Sequence, residues 1–459
     1  MSNVFNIADY GAVGDGKTDC TKAIAEAIEA CSSARGGRVL LPPGEYLTGP
    51  IILKSNVELH VEAGARVTFT RDCKAYPLVQ THYEGLRRVR CTSPIHGRDL
   101  RNVAITGEGV FDGSGQAWRP VKKSKMTAQQ WADLLAGGGV TDEAGQTWWP
   151  TRQARDGAAH VKKLTQSGAE PGVEDYEPAR EFLRPCLLEL IECRDVLLEG
   201  ATFQNSPAWN LHPLLCDGVT IRNVKVLNPW WSQNGDGLDL DSCRNCLVSG
   251  SHFDVGDDAI CIKSGRDEAG RRLGRPSENI TIRDCTVAHG HGGVVIGSEM
   301  SGGVRNIEVV NCVFDGTDVG LRFKTTRGRG GVVENIRIAN LAMSNIRNEA
   351  ILFDMYYAIK EDRPEPLSER TPRFRNFHIA NITCRSAGRA INLRGLPEMP
   401  IEAITIENAT LSAEAGVTIA EAADIALIGV QVQAKHSPVI QCVNVRNLTL
   451  DRFRGEVAG

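Results

Sequence analysis

Six side chains near four short runs of the sequence have the types that acid–base chemistry on an anionic substrate requires. They are three carboxylates, one imidazole and two cations: Asp236, Asp257, Asp258, His291, Arg322 and Lys324. Paired carboxylates can protonate a leaving oxygen and activate a water molecule, which is the chemistry of glycoside hydrolysis. Carboxylates held close together raise the pKa of one member, which then remains a neutral proton donor. An arginine and a lysine two residues apart on one strand face can bind a substrate carboxylate.

These side chains are positioned by runs in which apolar residues alternate with other residues, as in strands that bury one face. The runs are GLDL from Gly237, AICI from Ala259, GVVI from Gly293 and GLRF from Gly320. Aligned on their first residue, they give two apolar columns predicted to point inward: Leu238, Ile260, Val294 and Leu321, then Leu240, Ile262, Ile296 and Phe323. Parallel stacking at about 4.8 Å per step predicts Asp236 below Asp258 and Asp257 below His291. The two cations are expected two rungs above, on the same outer wall.

Two other interpretations of the acidic group were weighed against acid–base chemistry. A solvated surface explains a single outward carboxylate, but it poorly explains six chemically matched groups flanked by glycines. A calcium site would also use carboxylate oxygens, and this alternative stays open. However, His291, Arg322 and Lys324 are expected on the same wall, and cations disfavour the binding of a further cation.

Internal repeats give the strongest indication of the fold. Related alternating segments begin at Val219, Ile280, Ile307, Ile336, Phe377 and Ile404. The segments at 280, 307 and 336 are separated by 27 and 29 residues, and periods of about 20–50 residues are typical of solenoids or propellers. A propeller blade needs about 40–45 residues and four strands, whereas these repeats hold only short strands. The sequence therefore predicts an all-β protein, a right-handed parallel β-helix.

A recurring asparagine lies in the middle of most of these segments, between apolar neighbours. The positions are Asn223, Asn311, Asn340, Asn381 and Asn408. Asparagine suits a bend in which its side chain bonds backbone amides. This role is structural, and no chemistry is assigned to it.

Composition and charge limit the class of protein. Of 459 residues, 42% are hydrophobic and 24% are charged, which is typical of a globular protein with a large core. The net charge of −4 argues against nucleic-acid binding. No apolar run approaches the roughly 18–20 residues that span a bilayer, so no membrane partner is expected. The 14 cysteines include one CxxC but no second pair at zinc spacing, and we expect reduced core cysteines rather than disulfides or a metal site.

The first residues, MSNVFNIADYG, do not follow the charged-then-apolar pattern of a signal peptide. A cytoplasmic location is therefore expected, or a periplasmic or secreted one if a leader was removed. The sequence does not decide whether the protein forms oligomers.

Residues 1–459 are expected to form a single β-helix domain. Residues 1–36 hold a short strand and an amphipathic helix that suits a lid on the open end of a repeat array. The apolar stripe of this helix consists of Ala23, Ile24, Ala27, Ile28 and Cys31.

Residues 115–182 depart from the repeats as a long polar insert. Two short helices are predicted in it, one from Met126 and one from Ala154. The insert is either a solvent-exposed loop or a basic surface beside an acidic ligand. In the second case Trp148 or Trp149 would be the sugar platform, an aromatic ring on which a sugar packs.

Four motifs in this order resemble those of the polygalacturonases, glycoside hydrolase family 28, and the resemblance extends over nearly the whole chain. They are Asn234-Gly235-Asp236, Gly256-Asp257-Asp258, Gly290-His291-Gly292 and Arg322-Phe323-Lys324. The stretches DYGAVGDGKTD and LLPPGEYLTGPIILKSNVELH look like the opening coils of this family. One departure is Gly235, where fungal members usually have threonine. The form GSEMSGGVRN and the insert before Arg184-Pro185 are most similar to bacterial exo-acting members.

The resemblance implies a pectin-lyase-like β-helix that cleaves α-1,4-galacturonosyl bonds with inversion and without a cofactor. The substrate would be polygalacturonate or oligogalacturonides. Asp257 would be the general acid, Asp236 and Asp258 would hold the attacking water, and His291 would support protonation of the acid. Inversion leads us to expect carboxylates about 6.5–9.5 Å apart.

The resemblance also implies residues that bind the substrate. Arg322 and Lys324 would bind a galacturonate carboxylate, and Asn234 is kept in its motif. Tyr357 is the expected active-site tyrosine, although Tyr356 is adjacent. The insert is expected to close the cleft near one end and so to cause exo action.

Other activities remain open beside this one. Rhamnogalacturonan and xylogalacturonan hydrolases belong to the same family. A pectate lyase would share the fold and the substrate but use calcium and β-elimination. A catalytically silent, sugar-binding β-helix would bind without releasing reducing ends, but it would have no need for three clustered acids.

Overall fold

A computed structural model of the chain describes residues 3–166, 170–357 and 363–457. Its main element is a right-handed parallel β-helix, in which 33 strands belong to one sheet that winds around a continuous apolar core. Strands of successive coils pair in parallel, and they form three ladders. The predicted fold is therefore confirmed.

The first ladder carries the candidate site. Its strands are Ile51–Ile52, Ile95–Arg98, Leu188–Ile191, Leu211–Leu214, Leu238–Asp241, Asp258–Lys263, Gly292–Ile296, Leu321–Lys324, Ile346–Asp354 and Ala387–Arg394.

The other two ladders complete the wall of the solenoid. The second consists of Val4–Asn6, Gly37–Leu41, Val57–Val61, Arg101–Thr106, Arg194–Glu199, Asp217–Arg222, Arg244–Ser249, Ser277–Arg283, Val304–Val310, Val332–Ser344 and Arg373–Cys384. The third consists of Asp15–Asp19, Gly44–Thr48, Ala65–Phe69, Val110–Asp112, Thr202–Gln204, Lys225–Leu227, His252–Asp254, Thr286–His289 and Val313–Asp315. The last coils are formed by Ile401–Ile428, Gln431–Asp451 and Arg454–Val457.

Two smaller sheets lie outside the solenoid. One is an antiparallel hairpin of Leu78–Tyr83 and Leu86–Cys91. The other belongs to the insert and pairs Val121–Lys122, Thr147–Trp149 and Val140–Thr141.

The helices are α1 (Thr21–Ser33), α2 (Ala128–Ala136), α3 (Arg152–Gln166) and α4 (Asp267–Leu273). Short 3-10 helices cover Ile7–Tyr10, Cys73–Ala75, Gly115–Ala117, Lys123–Lys125 and Val173–Phe182. Helix α1 buries the predicted apolar stripe against the first coils. Within the described ranges, none of the helices has the length and apolar character needed to cross a membrane.

The recurring asparagines form ladders along a bend, as their spacing predicts, but their partners differ from the prediction. Each has a positive φ, a conformation that asparagine tolerates better than most residues. The side chains bond one another instead of backbone amides: Asn340 donates to Asn311 at 3.0 Å, and Asn381 donates to Asn340 at 2.9 Å. Stacked coils place equivalent residues in register, so that each amide finds the next one.

All 14 cysteines are free, and 12 of them are buried. The exceptions are Cys73, which is half-buried, and Cys442, which is exposed. The prediction of reduced core cysteines is therefore confirmed for most of them.

Candidate active site

The four sequence runs form adjacent rungs of the first ladder in the register that the alternation predicts. Leu238 pairs with Ile260, Ile260 with Val294, and Val294 with Leu321. Both apolar columns are buried in the core. The candidate polar groups consequently lie on the outer wall, where they line or adjoin a cavity of about 250 Å³.

The three predicted acids converge at this cavity. Asp236, Asp257 and Asp258 each place a carboxylate oxygen within 4.8 Å of the others. A point within about 2.8 Å of all three oxygens therefore exists, so one water molecule there can donate hydrogen bonds to two of the acids and accept one from the third when that acid is protonated. These nearest oxygens are closer than the roughly 6.5–9.5 Å expected for inversion. The predicted grouping is present, but the predicted spacing is not met for the nearest atoms.

Asp258 is buried and bonded to both predicted cations. Its Oδ1 accepts a hydrogen bond from Arg322 Nη1 at 3.0 Å, and its Oδ2 accepts one from Lys324 Nζ at 2.7 Å. Burial opposes ionisation, but the charges of Lys324, Arg322 and Lys263 outweigh it and hold the pKa of Asp258 below its usual range. Asp258 is thus an ionised carboxylate, and the two cations neutralise it in the free protein.

Asp257 is the most accessible of the three acids and is bonded to His291. His291 Nδ1 lies 3.0 Å from Asp257 Oδ1, and Lys125 Nζ lies 3.3 Å from His291 Nε2. Because an ammonium group can only donate hydrogen bonds, this contact makes Nε2 the acceptor and leaves the Nδ1 proton to Asp257. Burial raises the pKa of Asp257, but the hydrogen bond with His291 brings it below its usual range.

Asp236 is the acid whose proton affinity rises. It is buried, and its Oδ1 has no hydrogen-bond partner among the described residues. Burial raises the pKa of Asp236 well above its usual range, and the charges of Asp257 and Asp239 add to this effect. The sequence analysis expected one of the acids to have a raised pKa, and it expected that acid to be Asp257. The pKa is raised on Asp236 instead, and it is lowered on Asp257, which has a histidine partner.

Asn234 is held beside the acids by a buried arginine. Arg184 Nη2 donates to Asn234 Oδ1 at 2.8 Å, and Arg184 Nη1 donates to two backbone carbonyls at 3.0 and 2.9 Å. The neighbouring departure from the family motif has a steric reason. A Cβ at Gly235 would lie 1.8 Å from Ser232 Oγ, so the serine fills the space of a larger residue.

The two adjacent tyrosines have different environments. Tyr357 is exposed and lines the cavity, with its ring centre 5.1 Å from Lys324 Nζ and 5.9 Å from Arg322 Cζ. Tyr356 is buried, and its ring lies against Arg394 at 3.9 Å. Tyr357 is therefore the tyrosine at the site.

A buried network of charges next to the acids was missed by the sequence analysis. Lys263 Nζ lies 3.4 Å from Asp239 Oδ1 and 3.5 Å from Glu299 Oε2. The same ammonium lies 4.9 Å from the centre of the Trp209 ring. Burial raises the pKa of Asp239 to about 7. This network places the Lys263–Glu299 ion pair and the titratable carboxyl of Asp239 behind the three acids.

Two further charged groups continue the network into the preceding coils. His212 is fully buried, and its Nδ1 lies 3.4 Å from Glu189 Oε1. Burial opposes a charge on His212, but its close contacts with Asp241, Cys186 and Glu189 raise its pKa well above the usual value. The sequence did contain a signal for these residues, in the runs LELI and LHPL. The two runs pair residue by residue, and LHPL pairs in turn with the strand that contains Asp239.

A β-hairpin that the sequence analysis did not single out ends the cavity on one side. Its two-residue turn, Glu84 and Gly85, has φ values of 52° and 68°, as the tight hairpin turns with two positive φ values require. Arg266 N donates to Gly85 O at 3.2 Å, and a Cβ at Gly85 would lie 2.6 Å from Arg266 N. Glu84, Arg266 and Trp209 line the cavity at this end.

The insert contains both predicted helices, and Thr127 caps α2 with a capping box. The sugar-platform alternative is not supported. Trp148 is buried with Val121 and Trp131, and its Nε1 donates to Gly138 O at 2.7 Å. Trp149 packs near Phe182 at 6.4 Å. These tryptophans stabilise the insert itself, and the insert reaches the site through Lys125.

The donor set does not fit a calcium ion. Calcium takes about six to eight oxygen ligands, and the three acids are the metal-ligand group found among the described residues. Both oxygens of Asp258 are already bonded to Arg322 and Lys324. Two cations at this distance oppose a third, so the group suits proton transfer better than metal binding.

This fold and this site define a glycoside hydrolase, and comparison with known proteins gives the family. The model of glycosyl hydrolases family 28 matches residues 179–436, and the chain belongs to this family. A second model, for rhamnogalacturonase A/epimerase, pectate lyase-like, matches residues 4–76.

Several proteins and structures are similar to this chain. A probable polygalacturonase of Vitis vinifera is 28% identical over 88% of this chain and 74% of its own. An exo-poly-alpha-D-galacturonosidase of Dickeya chrysanthemi is 28% identical over 84% of this chain and 63% of its own length. The crystal structure of a hyperthermoactive exopolygalacturonase from Thermotoga maritima is 34% identical, with a TM-score of 0.77 over 97% of this chain and 92% of that one.

Proposed function

We propose that the protein hydrolyses α-1,4-galacturonosyl bonds of polygalacturonate or oligogalacturonides, with inversion and from a chain end. The observation that carries the proposal is the group of three carboxylates, with oxygens within 4.8 Å of one another, beside Arg322 and Lys324. The names of the Vitis, Dickeya and Thermotoga proteins support galacturonan as the substrate, and the last two support exo action.

In this proposal Asp257 donates a proton to the glycosidic oxygen as the bond to the anomeric carbon breaks. Its side chain is 22% exposed, against 1% for Asp258, so it is the acid that a substrate reaches. A water molecule attacks the anomeric carbon from the opposite face and gives its proton to the Asp236–Asp258 pair. One hemiacetal and one free hydroxyl group result, and no co-reactant other than water is consumed.

The resting proton has to move before this reaction. In the free protein Asp236 is the acid that holds a proton most tightly, because burial raises the pKa of that carboxyl. A water molecule in contact with all three acids can relay it to Asp257. Asp236 and Asp258 are then both ionised when they hold the attacking water.

Recognition of a uronate is supported by the charges around the cavity. Lys263, Arg266, Lys324 and Arg329 line it together with Glu84 and Glu299. Lys324 and Arg322 each use one donor on Asp258, whereas an ammonium has three N–H groups and a guanidinium has five. Donors therefore remain for a substrate carboxylate, with Asn234 and Tyr357 nearby.

Exo action is supported by two segments instead of the insert alone. The hairpin tip at Glu84 ends the cavity beside Trp209. The insert lies on the His291 side of the acids, where Lys125 contacts His291. A site bordered by these two segments suits a chain end better than the interior of a polymer.

The experiment that tests the proposal follows reducing ends and viscosity together during digestion of polygalacturonate, with a chelator present. We expect mono- or digalacturonate from the start, with little loss of viscosity. A rapid fall in viscosity with mixed oligomers would contradict exo action. An unsaturated, ultraviolet-absorbing product would identify a lyase, and binding without new reducing ends would identify a sugar-binding protein.

A further inference from the structure

Lys125 is the point at which the insert touches the candidate catalytic group. Its Nζ lies 3.3 Å from His291 Nε2, whereas Asp257 contacts the other ring nitrogen, Nδ1. Among the described residues, no carboxylate lies within 4.0 Å of this ammonium. Lys125 is thus half-buried, and its hydrogen-bond partner is a neutral nitrogen. The positive charge of Lys125 therefore remains available to an incoming anion.

The position of Lys125 is fixed by the packing of the insert. It ends the short 3-10 helix Lys123–Lys125, directly after the strand residues Val121 and Lys122 that pair with Trp148 and Thr147. The buried side chains behind this strand pack against Trp231, which belongs to the solenoid. The insert is therefore docked beside the site instead of extending into solvent.

A second cavity, of about 230 Å³, lies beside Lys125 on the His291 side of the acids. Its lining includes the half-exposed indole of Trp230 and the backbone of Gly256 and Gly290. Pockets for drug-sized ligands measure about 300–1,000 Å³, so this cavity and the one around Lys324 each suit roughly one sugar unit. Asp257 lines the first cavity and its partner His291 lines the second, so a bond between sugars in the two cavities would lie beside this pair.

Charges of both signs surround Lys125. Burial lowers the pKa of Lys125, while the charges of Asp257 and Asp318 oppose this effect. Asp318 is itself paired with Arg347 at 3.2 Å, and its Oδ2 lies 3.9 Å from His291 Nε2. His289 also lines the cavity, and Lys122 adds a further positive charge.

We propose that Lys125 binds the carboxylate of a second galacturonate unit, on the His291 side of the scissile bond, and gives up its contact with His291 to do so. The inference rests on the proposed function, because it concerns the same substrate. Trp230 supplies an apolar ring for the sugar in the same cavity. Arg322 and Lys324 would then bind one carboxylate and Lys125 the next, so that the enzyme requires two adjacent uronates.

The exchange also has a consequence for the acid. With Lys125 on the substrate, one positive charge near Asp257 is neutralised. A neighbouring positive charge favours the ionised form of a carboxyl, so its neutralisation favours the protonated form. Substrate charge would in this way help to prepare Asp257 as a proton donor.

The test measures binding of a thio-linked digalacturonate, which resists hydrolysis, and of its dimethyl ester by calorimetry. Loss of a charged hydrogen bond corresponds to roughly 10–100-fold weaker binding, and we expect this for Lys125→Met with the charged ligand only. Lys125→Arg keeps the charge and should restore most of the affinity. The matched control is Lys123→Met, at an exposed position two residues earlier, which should bind like the wild type.

A measurement on the wild type keeps the test valid if Lys125→Met does not fold. The ¹⁵N resonance of His291 Nε2, assigned by its loss in His291→Asn, should show a bonded acceptor in the free protein and shift when the analogue binds. Equal losses on the acid and the ester, or an Nε2 resonance unchanged by the analogue, would overturn the role of Lys125. Failure of the proposed function is seen separately, as wild-type protein that releases no reducing ends from polygalacturonate.

Discussion

Lys324 Nζ lies 2.7 Å from Asp258 Oδ2, although the two residues are 66 positions apart and belong to rungs separated by a further strand. The contact spans two steps of the ladder because both side chains project from the same wall. Arg322 bonds the other oxygen of Asp258. The two cations therefore have a structural task in the free protein in addition to the proposed recognition of substrate.

Lys324→Met should lower stability in a pH-dependent way. The folded-state pKa of Asp258 is below its unfolded value, so this group stabilises the fold above about pH 4 and loses that contribution as the pH falls through the folded-state value. Removing Lys324 weakens this contribution. The deficit in Tm should be largest near neutral pH and shrink on acidification.

Thermal unfolding of the wild type and of Lys324→Met over a pH series measures this effect, with Lys123→Met as the exposed control. A deficit that is the same at every pH would show that Lys324 acts through packing and not through Asp258.

Asp236→Asn should have the opposite pH dependence. The folded-state pKa of Asp236 is raised, so the folded protein binds the proton more tightly, and ionisation destabilises the fold increasingly as the pH rises above about 4. Asparagine removes this cost. The variant should gain Tm relative to the wild type at pH 8 compared with pH 4, while losing activity. An equal Tm difference at both pH values would contradict the assignment of the resting proton to Asp236.

Much of this site could be predicted from the sequence because each coil repeats one pattern. Alternation and the small residue that opens each run, glycine in three runs and alanine in one, fix the register. This register in turn stacks Asp236, Asp257, Asp258 and His291. The asparagine bends follow from the same repeat. Extending the alignment by two further rungs would have found Glu189 and His212 as well.

The remaining features could not be predicted in this way. Lys125 and Glu84 come from segments outside the repeats, and their positions depend on how the insert and the hairpin dock on the solenoid. The pKa is raised on Asp236 and not on Asp257 because of burial and the Asp257–His291 bond. The spacing of residues in the sequence predicts neither of these. The tryptophans of the insert indicated aromatic character, but their spacing did not predict that Trp131 and Trp148 pack together.

Asp257→Asn should abolish most activity without unfolding the protein. The side chain is partly exposed, and its replacement weakens the contact with His291 but leaves Asp258 bonded to Arg322 and Lys324. General acid catalysis is worth roughly 10²–10⁴-fold, and the turnover number on oligogalacturonides should fall by that factor. Turnover near that of the wild type would exclude Asp257 as the acid.

Gly85→Ala should shift the products toward longer oligomers. The added Cβ would meet Arg266 N at 2.6 Å, so the hairpin tip has to move away from the cavity that it ends. Gly145→Ala is the matched control, because Gly145 also has a positive φ, of 64°, but has nothing within 4 Å of the added atom. Chromatography of early digests compares them, and identical product patterns for the two variants would show that the hairpin does not restrict the chain.

The stereochemistry of the first product tests the central claim most directly. Proton NMR of trigalacturonate digestion, recorded before mutarotation and with a chelator present, shows which anomer is released. Hydrolysis by Asp257 and a water held by Asp236 and Asp258 predicts that an α-linkage gives the β-anomer first. Release of the α-anomer, or of an unsaturated uronide, would contradict it.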